Sequence, residues 1–139
     1  MLYPRLSRRH FDNKCTVKVL VIVNTSPWGG SLGVTALRLV RAMSRAGLRD
    51  DVRDGLRVAA VYFREEGVYQ AVPGRVAEAG TPVLRDAWLE LMREAGVPLL
   101  LCSSAAQRRL GVCPEGGFRE AGRAEVLELM QGCDRVVVF

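Results

Sequence analysis

The 139-residue chain has one histidine, His10, and four cysteines, Cys15, Cys102, Cys113 and Cys133, irregularly spaced and without a Cys-x-x-Cys pair. Such a set argues against a zinc site, and so few scattered thiols do not make a disulfide framework in a chain of this length. A reducing cytoplasm fits this cysteine usage. Long apolar runs are missing as well. None approaches the roughly 20 residues that cross a bilayer, so the sequence predicts a soluble protein with no membrane partner. Aromatic residues make up 6% of the chain, and no RNA-recognition signature accompanies them. The formal net charge of +5 therefore does not predict direct nucleic-acid binding: Arg5, Arg8, Arg9, Lys14 and Lys18 lie before or at the first strand, and the other basic residues are scattered. Neither Gly-x-x-x-x-Gly-Lys-Ser/Thr nor Gly-x-Gly-x-x-Gly occurs.

What remains is an ordinary globular composition, 49% hydrophobic and 25% charged, in a length that suits one domain. Residues 1–16 read as a flexible N-terminal extension and 17–139 as a single α/β domain. Ser7-Arg-Arg-His-Phe11 resembles a twin-arginine export signal, but the apolar stretch after it, Val17 to Val23, is interrupted by Lys18 and ends at Asn24-Thr-Ser-Pro-Trp-Gly-Gly30. As a β-branched run it makes a better first strand.

A Gly-rich loop from Asn24 to Gly33 follows, then a helix from Thr35 to Ala46 with an apolar stripe of Ala36, Leu37, Leu39, Val40 and Met43. Strand two spans Leu56 to Phe63. Thr81-Pro82 opens a helix to Ala95, Val97 to Leu101 forms strand three, and a short helix runs to Leu110. Phe118 to Gln131 is expected to be the last helix and Arg135 to Phe139 the last strand. This alternation predicts a three-layer α/β/α fold with a mainly parallel sheet of four to five strands. All strand C-termini then share one edge, where open α/β sheets bind ligands.

That edge sorts the thiols. Cys102 ends strand three, and Ser103 and Ser104 after it offer N-cap chemistry for the next helix. A cysteine there lies near unpaired backbone N–H groups and the positive end of a helix dipole, both of which favour thiolate. By position alone it fits a reactive thiol or a buried structural cysteine. Cys15 and Cys133 precede strands. A five-residue strand spans about 16 Å, against the ~6 Å Cα separation of a disulfide, so Cys133 cannot pair with Cys102 within one subunit. Cys113, in the loop after the short helix, is either an incidental thiol or a partner that traps Cys102. Glu66 and Tyr69 lie past strand two near the same edge; Tyr69 either faces the thiol or packs. Arg108 and Arg109 stand about 9–10 Å along the helix from Cys102 and do not reach its sulfur.

Cys102-x-x-Ala-Ala-x-Arg-Arg, followed by Gly111-Val112, resembles the active-cysteine segment of the DsrE/TusD family of sulfur-relay proteins, with Leu110 as one extra residue. Val61-Tyr-Phe-Arg-Glu-Glu-Gly-Val-Tyr-Gln-Ala71 is similar to that family's second strand and the turn after it, and Gly117-Phe118, Gly122 and Cys133 to Phe139 resemble its C-terminal end. The resemblance implies a DsrE-like domain and a sulfurtransferase that carries sulfane sulfur as a persulfide on Cys102. It further implies sulfur-donor and sulfur-acceptor protein partners, no cofactor or metal, and a homo- or hetero-oligomer, trimer or hexamer. Family members act in 2-thiouridine formation on transfer RNA or in sulfur metabolism. Two other readings stand beside it: a non-catalytic subunit of such a complex, and a flavodoxin-like nucleotide binder resting on the Gly-rich loop.

Overall fold

The computed structural model describes residues 16–47, 55–74 and 83–139. The N-terminal extension expected over 1–16, with Cys15, lies outside them except for Thr16, and so does the helix start expected at Thr81-Pro82.

Strand β1, Val17–Val23, is apolar except for Lys18, and its last five residues are buried. A segment with no polar side chain for water on either face belongs inside a parallel sheet. It pairs in parallel with β2, Leu56–Phe63, on one side and with β5, Arg135–Val138, on the other. Beyond β2 lie β3, Leu99–Cys102, and β4, Phe118–Ala121, giving the order β4-β3-β2-β1-β5 with every pairing parallel.

Strand β4 corrects the expected Phe118–Gln131 helix. The helix of that region, α4, covers only Arg123–Gln131, after Gly122 in extended conformation. Arg119 and Glu120 favour a helix locally, but Leu99 to Cys102 offer an open sheet edge that Phe118 to Ala121 fill residue for residue. Tertiary pairing overrides a weak propensity here. Gly116 and Gly117, at φ 99° and 126°, take the chain into the strand through conformations that glycine alone adopts easily.

Helix α1, Leu32–Gly47, begins three residues before the predicted start, where the Ser31 carbonyl accepts both the backbone N–H and the hydroxyl of Thr35. Helix α2 spans Leu84–Ala95 and ends on the left-handed Gly96; α3 spans Ser103–Leu110. On one face of the sheet, Val19, Val21, Val23, Val61, Phe63, Leu99 and Leu101 pack against Leu37 and Val40 of α1, Trp88 and Leu91 of α2, and Ala105 and Ala106 of α3. On the other, Leu20, Ile22, Ala60, Tyr62, Leu100 and Ala121 pack under Val126 of α4. The expected three-layer α/β/α architecture is thus present, with five strands.

One irregularity matters for the site. Between Val19 and Leu20 the register with β2 slips by one residue, so that Val19 faces Val58 but Leu20 faces Ala60. The extra residue, Ala59, reverses the alternation of β2 beyond it. Tyr62 therefore lies on the α4 face rather than on the face Val58 occupies.

Candidate active-site cysteine

Cys102 is the last residue of β3 and the N-cap of α3, half-buried, with its sulfur at the strand C-terminal edge. The serines after it do not cap the helix as expected. Both lie inside α3, and the Ser104 hydroxyl instead sits 3.3 Å from Cys102 Sγ. The Tyr62 hydroxyl and the backbone N–H groups of Ser104 and Ala105 add their pull toward the thiolate. Burial pushes the thiol up, but these four donors outweigh it and hold Cys102 below the ordinary cysteine range. The N–H groups are donors that a helix start leaves free for want of carbonyls a turn earlier.

Tyr62 is the neighbour of the thiol that sequence reasoning missed. Its position two residues before the end of an apolar strand reads as core, and it is only 5% exposed. It pairs in register with Leu100, so its ring lies one alternation short of Cys102 on the same face. Burial, and then the neighbouring Cys102 sulfur, raise its phenol well above the tyrosine range, while Arg64 and Arg123 pull it down. Those two guanidinium groups bring positive charge to this end of the sheet. Arg64 is held by a 3.0 Å bond from Nε to Asn24 Oδ1.

Glu66 and Tyr69 belong to a 3-10 segment, Glu65–Ala71, that leaves β2 through Glu65 in the left-handed region at φ 53°. Tyr69 packs on Trp28, ring centroids 5.3 Å apart, and lies under the Arg109 guanidinium at 5.8 Å. Arg109 also pairs with Glu65 at 3.6 Å, and Arg108 Nε donates to the Ser104 carbonyl. Arg109 fastens α3 to the 3-10 segment and the Arg108 bond stays within α3; neither arginine bonds the Cys102 sulfur, and the Tyr69 contacts described are packing contacts. Glu66 is exposed and acts on Arg109 through its charge. Ser103 is half-buried beside the cysteine; the serine that bonds the sulfur is Ser104. Two buried groups anchor the 3-10 segment itself: Trp88 Nε1 donates to Gln70 Oε1 at 2.7 Å, and Gln70 Nε2 donates to the Thr25 carbonyl at 2.9 Å.

Cys113 does not stand beside Cys102. Its sulfur points to the carbonyls of Pro114 and Phe118, and it packs on the layer of α1 and α2. Burial, and next the charge of Glu120, raise its thiol. Cys133 lies at the strand N-terminal edge, as expected, in an open groove of about 480 Å³ lined also by Lys18, Arg57, Glu125 and Glu128. Burial, followed by the Asp134 charge, raises that thiol too. Its lining mixes both charges around a weakly ionised sulfur, so the groove is a poorer candidate than the Cys102 edge. Among the described residues, no helix is long and apolar enough to cross a membrane and no cluster of metal-binding side chains forms.

Known proteins are similar to this chain along most of its length. Sulfurtransferase TusD of Cronobacter sakazakii is 28% identical over 137 residues, covering 88% of this chain and 100% of its own. The TusD homolog of Vibrio vulnificus is 28% identical over 138 residues, covering 89% and 98%. Sulfurtransferase TusD of Sodalis glossinidius is 29% identical over 134 residues, covering 86% and 95%. The crystal structure of the ychN protein from E. coli superposes with a TM-score of 0.71 at 19% identity, over 88% of this chain and 99% of that one, and shows the same fold. The model of the DsrE/DsrF-like family matches residues 17–139, and the chain belongs to that family.

Proposed function

We propose that this protein is a sulfurtransferase in a sulfur relay: Cys102 takes sulfane sulfur from a donor protein as a persulfide and hands it to a cysteine of an acceptor protein. One observation carries the reading. The Cys102 sulfur is half-buried at the strand C-terminal edge, 3.3 Å from the Ser104 hydroxyl at the start of α3, and is held below the ordinary cysteine range. The relatives named as sulfurtransferases support sulfur transfer as the chemistry of that thiol. Transfer is thiol exchange: a thiolate attacks a sulfane sulfur and another thiolate leaves, so neither metal nor organic cofactor is needed. A cytoplasmic location keeps such a thiol reduced between cycles.

The relay also calls for protein partners, and we place the chain in a homo- or hetero-oligomer, a trimer or hexamer. Exposed Val136 and Val138 on edge strand β5 are register partners of Leu20 and Ile22, which puts them on the α4 side, where Leu127 and Met130 are exposed as well. Apolar side chains gathered on a sheet edge favour association.

The test is discharge. Protein preloaded with radiolabelled sulfane sulfur and freed of donor is mixed with a thiol acceptor. The label is expected to appear on the acceptor as a persulfide, with none carried by Cys102→Ser. Label that stays on the protein, or that the serine variant carries equally, contradicts the reading.

A further inference from the structure

We propose that Arg64 and Arg123, which flank Cys102 on either side of β3, are the docking site for the relay partner, and that the partner presents its reactive sulfur within an acidic protein segment. The proposal rests on the carrier reading above and adds the chemistry that selects the partner.

The sheet register sets the two arginines around the thiol. Phe63 pairs with Leu101, so Arg64, one residue on, stands level with Cys102 one strand away. On the other side Cys102 pairs with Ala121, and Gly122, in extended conformation, leads straight to Arg123 at the start of α4. Neighbouring strands lie ~4.8 Å apart, so a few extended residues of a partner laid over Cys102 span both positions. Both arginines are exposed. Both also stand close enough to Tyr62, one alternation short of the thiol, to act on its phenol through their charge.

Neither charge is cancelled. Among the described residues the ion pairs are Arg85–Asp86, Arg109–Glu65 and Arg119–Glu125, and Arg64 and Arg123 take part in none of them. Arg64 Nε donates to a neutral amide oxygen, Asn24 Oδ1, at 3.0 Å. The carboxylates nearby are engaged elsewhere: Glu65 holds Arg109, Glu125 accepts two bonds from Arg119, and Glu120 acts on Cys113. Two uncancelled positive charges beside a half-buried thiol draw a carboxylate-bearing partner and repel a basic one. The same edge carries Trp28 and Leu32, 47% and 52% exposed, where the chain leaves β1 for α1. Arginine beside exposed aromatic and aliphatic side chains suits a protein partner better than a nucleic-acid backbone.

The test needs no sulfur transfer. Full-length protein whose other cysteines, Cys15, Cys113 and Cys133, are replaced by serine is offered cysteine peptides activated as pyridyl disulfides, one flanked by glutamates and one by lysines. The Cys102 thiolate attacks the peptide sulfur, the new disulfide forms, and the pyridyl thiolate leaves with the bonding pair of the old one and is read by absorbance. Each rate is divided by the same protein's rate with uncharged iodoacetamide, so a change in the thiol itself cancels. The acidic peptide should be captured about tenfold faster than the basic one at low salt, and the advantage should shrink as salt rises. Arg64→Glu with Arg123→Glu should reverse the preference, whereas Arg45→Glu with Arg57→Glu, the same charge change at the strand N-terminal edge, should keep it. Each single reversal at Arg64 or Arg123 should lower it, which carries the test if the double variant does not fold. Equal capture of the two peptides, or a preference that both double variants reverse alike, overturns the proposal. Protection of Cys102 from iodoacetamide by single-stranded RNA, and not by an acidic peptide without cysteine, overturns it in favour of nucleic acid. A protein that prefers the acidic peptide yet takes up no sulfane sulfur supports the docking site and contradicts the carrier reading alone.

Discussion

Burial and hydrogen bonding pull the Cys102 thiol in opposite directions, and hydrogen bonding prevails. At Cys113 and Cys133 burial is the leading influence and a neighbouring carboxylate adds to it, so both thiols rise. The sign for reactivity follows. Alkylation requires thiolate, so Cys102 should reach its plateau rate at lower pH than a free cysteine, near ~8.5, and Cys113 and Cys133 only at higher pH. Near neutrality, site-resolved mass spectrometry should find Cys102 modified first; Cys113 or Cys133 modified ahead of it would contradict the assignment. This much of the site was legible in the chain: a cysteine where an apolar strand meets a helix must lie near free N–H groups. The role of Ser104 was only half legible, because a serine near a helix start reads as a cap for the backbone, and here it serves the sulfur. Tyr62 was not legible. Its partner lies 40 residues on, and the slipped register that turns it to the α4 face leaves no mark in the composition of β2.

The strands and helices were legible where local pattern and tertiary demand agree. Val17–Val23 and Leu56–Phe63 have the expected bounds because β-branched apolar runs suit only buried strands. The 3-10 segment after β2 is different: it is fixed by what it touches. Arg64 N–H donates to the Val23 carbonyl, Gly67 N–H to the Arg64 carbonyl, and a Cβ on Gly67 would overlap the Val23 carbonyl oxygen. Only glycine lets that turn lie against the end of β1. Gly67→Ala should push the segment outward and destabilise the fold by about 1–3 kcal/mol. Denaturant unfolding measures the loss, and a variant as stable as the parent would show that the close approach does not matter. The four-residue β4 shows the opposite failure of local pattern, since Arg119 and Glu120 point to helix and only the open edge of β3 makes a strand of them.

Across the whole molecule, the sheet separates the chemistry from the apolar flank. Cys102 lies at the C-terminal end of β3, while Val136 and Val138 lie on β5, at the far edge of the order β4-β3-β2-β1-β5. Subunits that meet along β5 therefore leave the thiol open to donor and acceptor. Light scattering on the purified chain is expected to give a mass of several subunits, reduced toward one by Val138→Glu; a monomeric parent contradicts association through this flank in a homo-oligomer. The most direct test of the account is the intact mass of the protein after incubation with a sulfane-sulfur donor. The account predicts a gain of one or more sulfur atoms, reversed by a reducing thiol and lost in Cys102→Ser. No gain, or an equal gain in that variant, would contradict it.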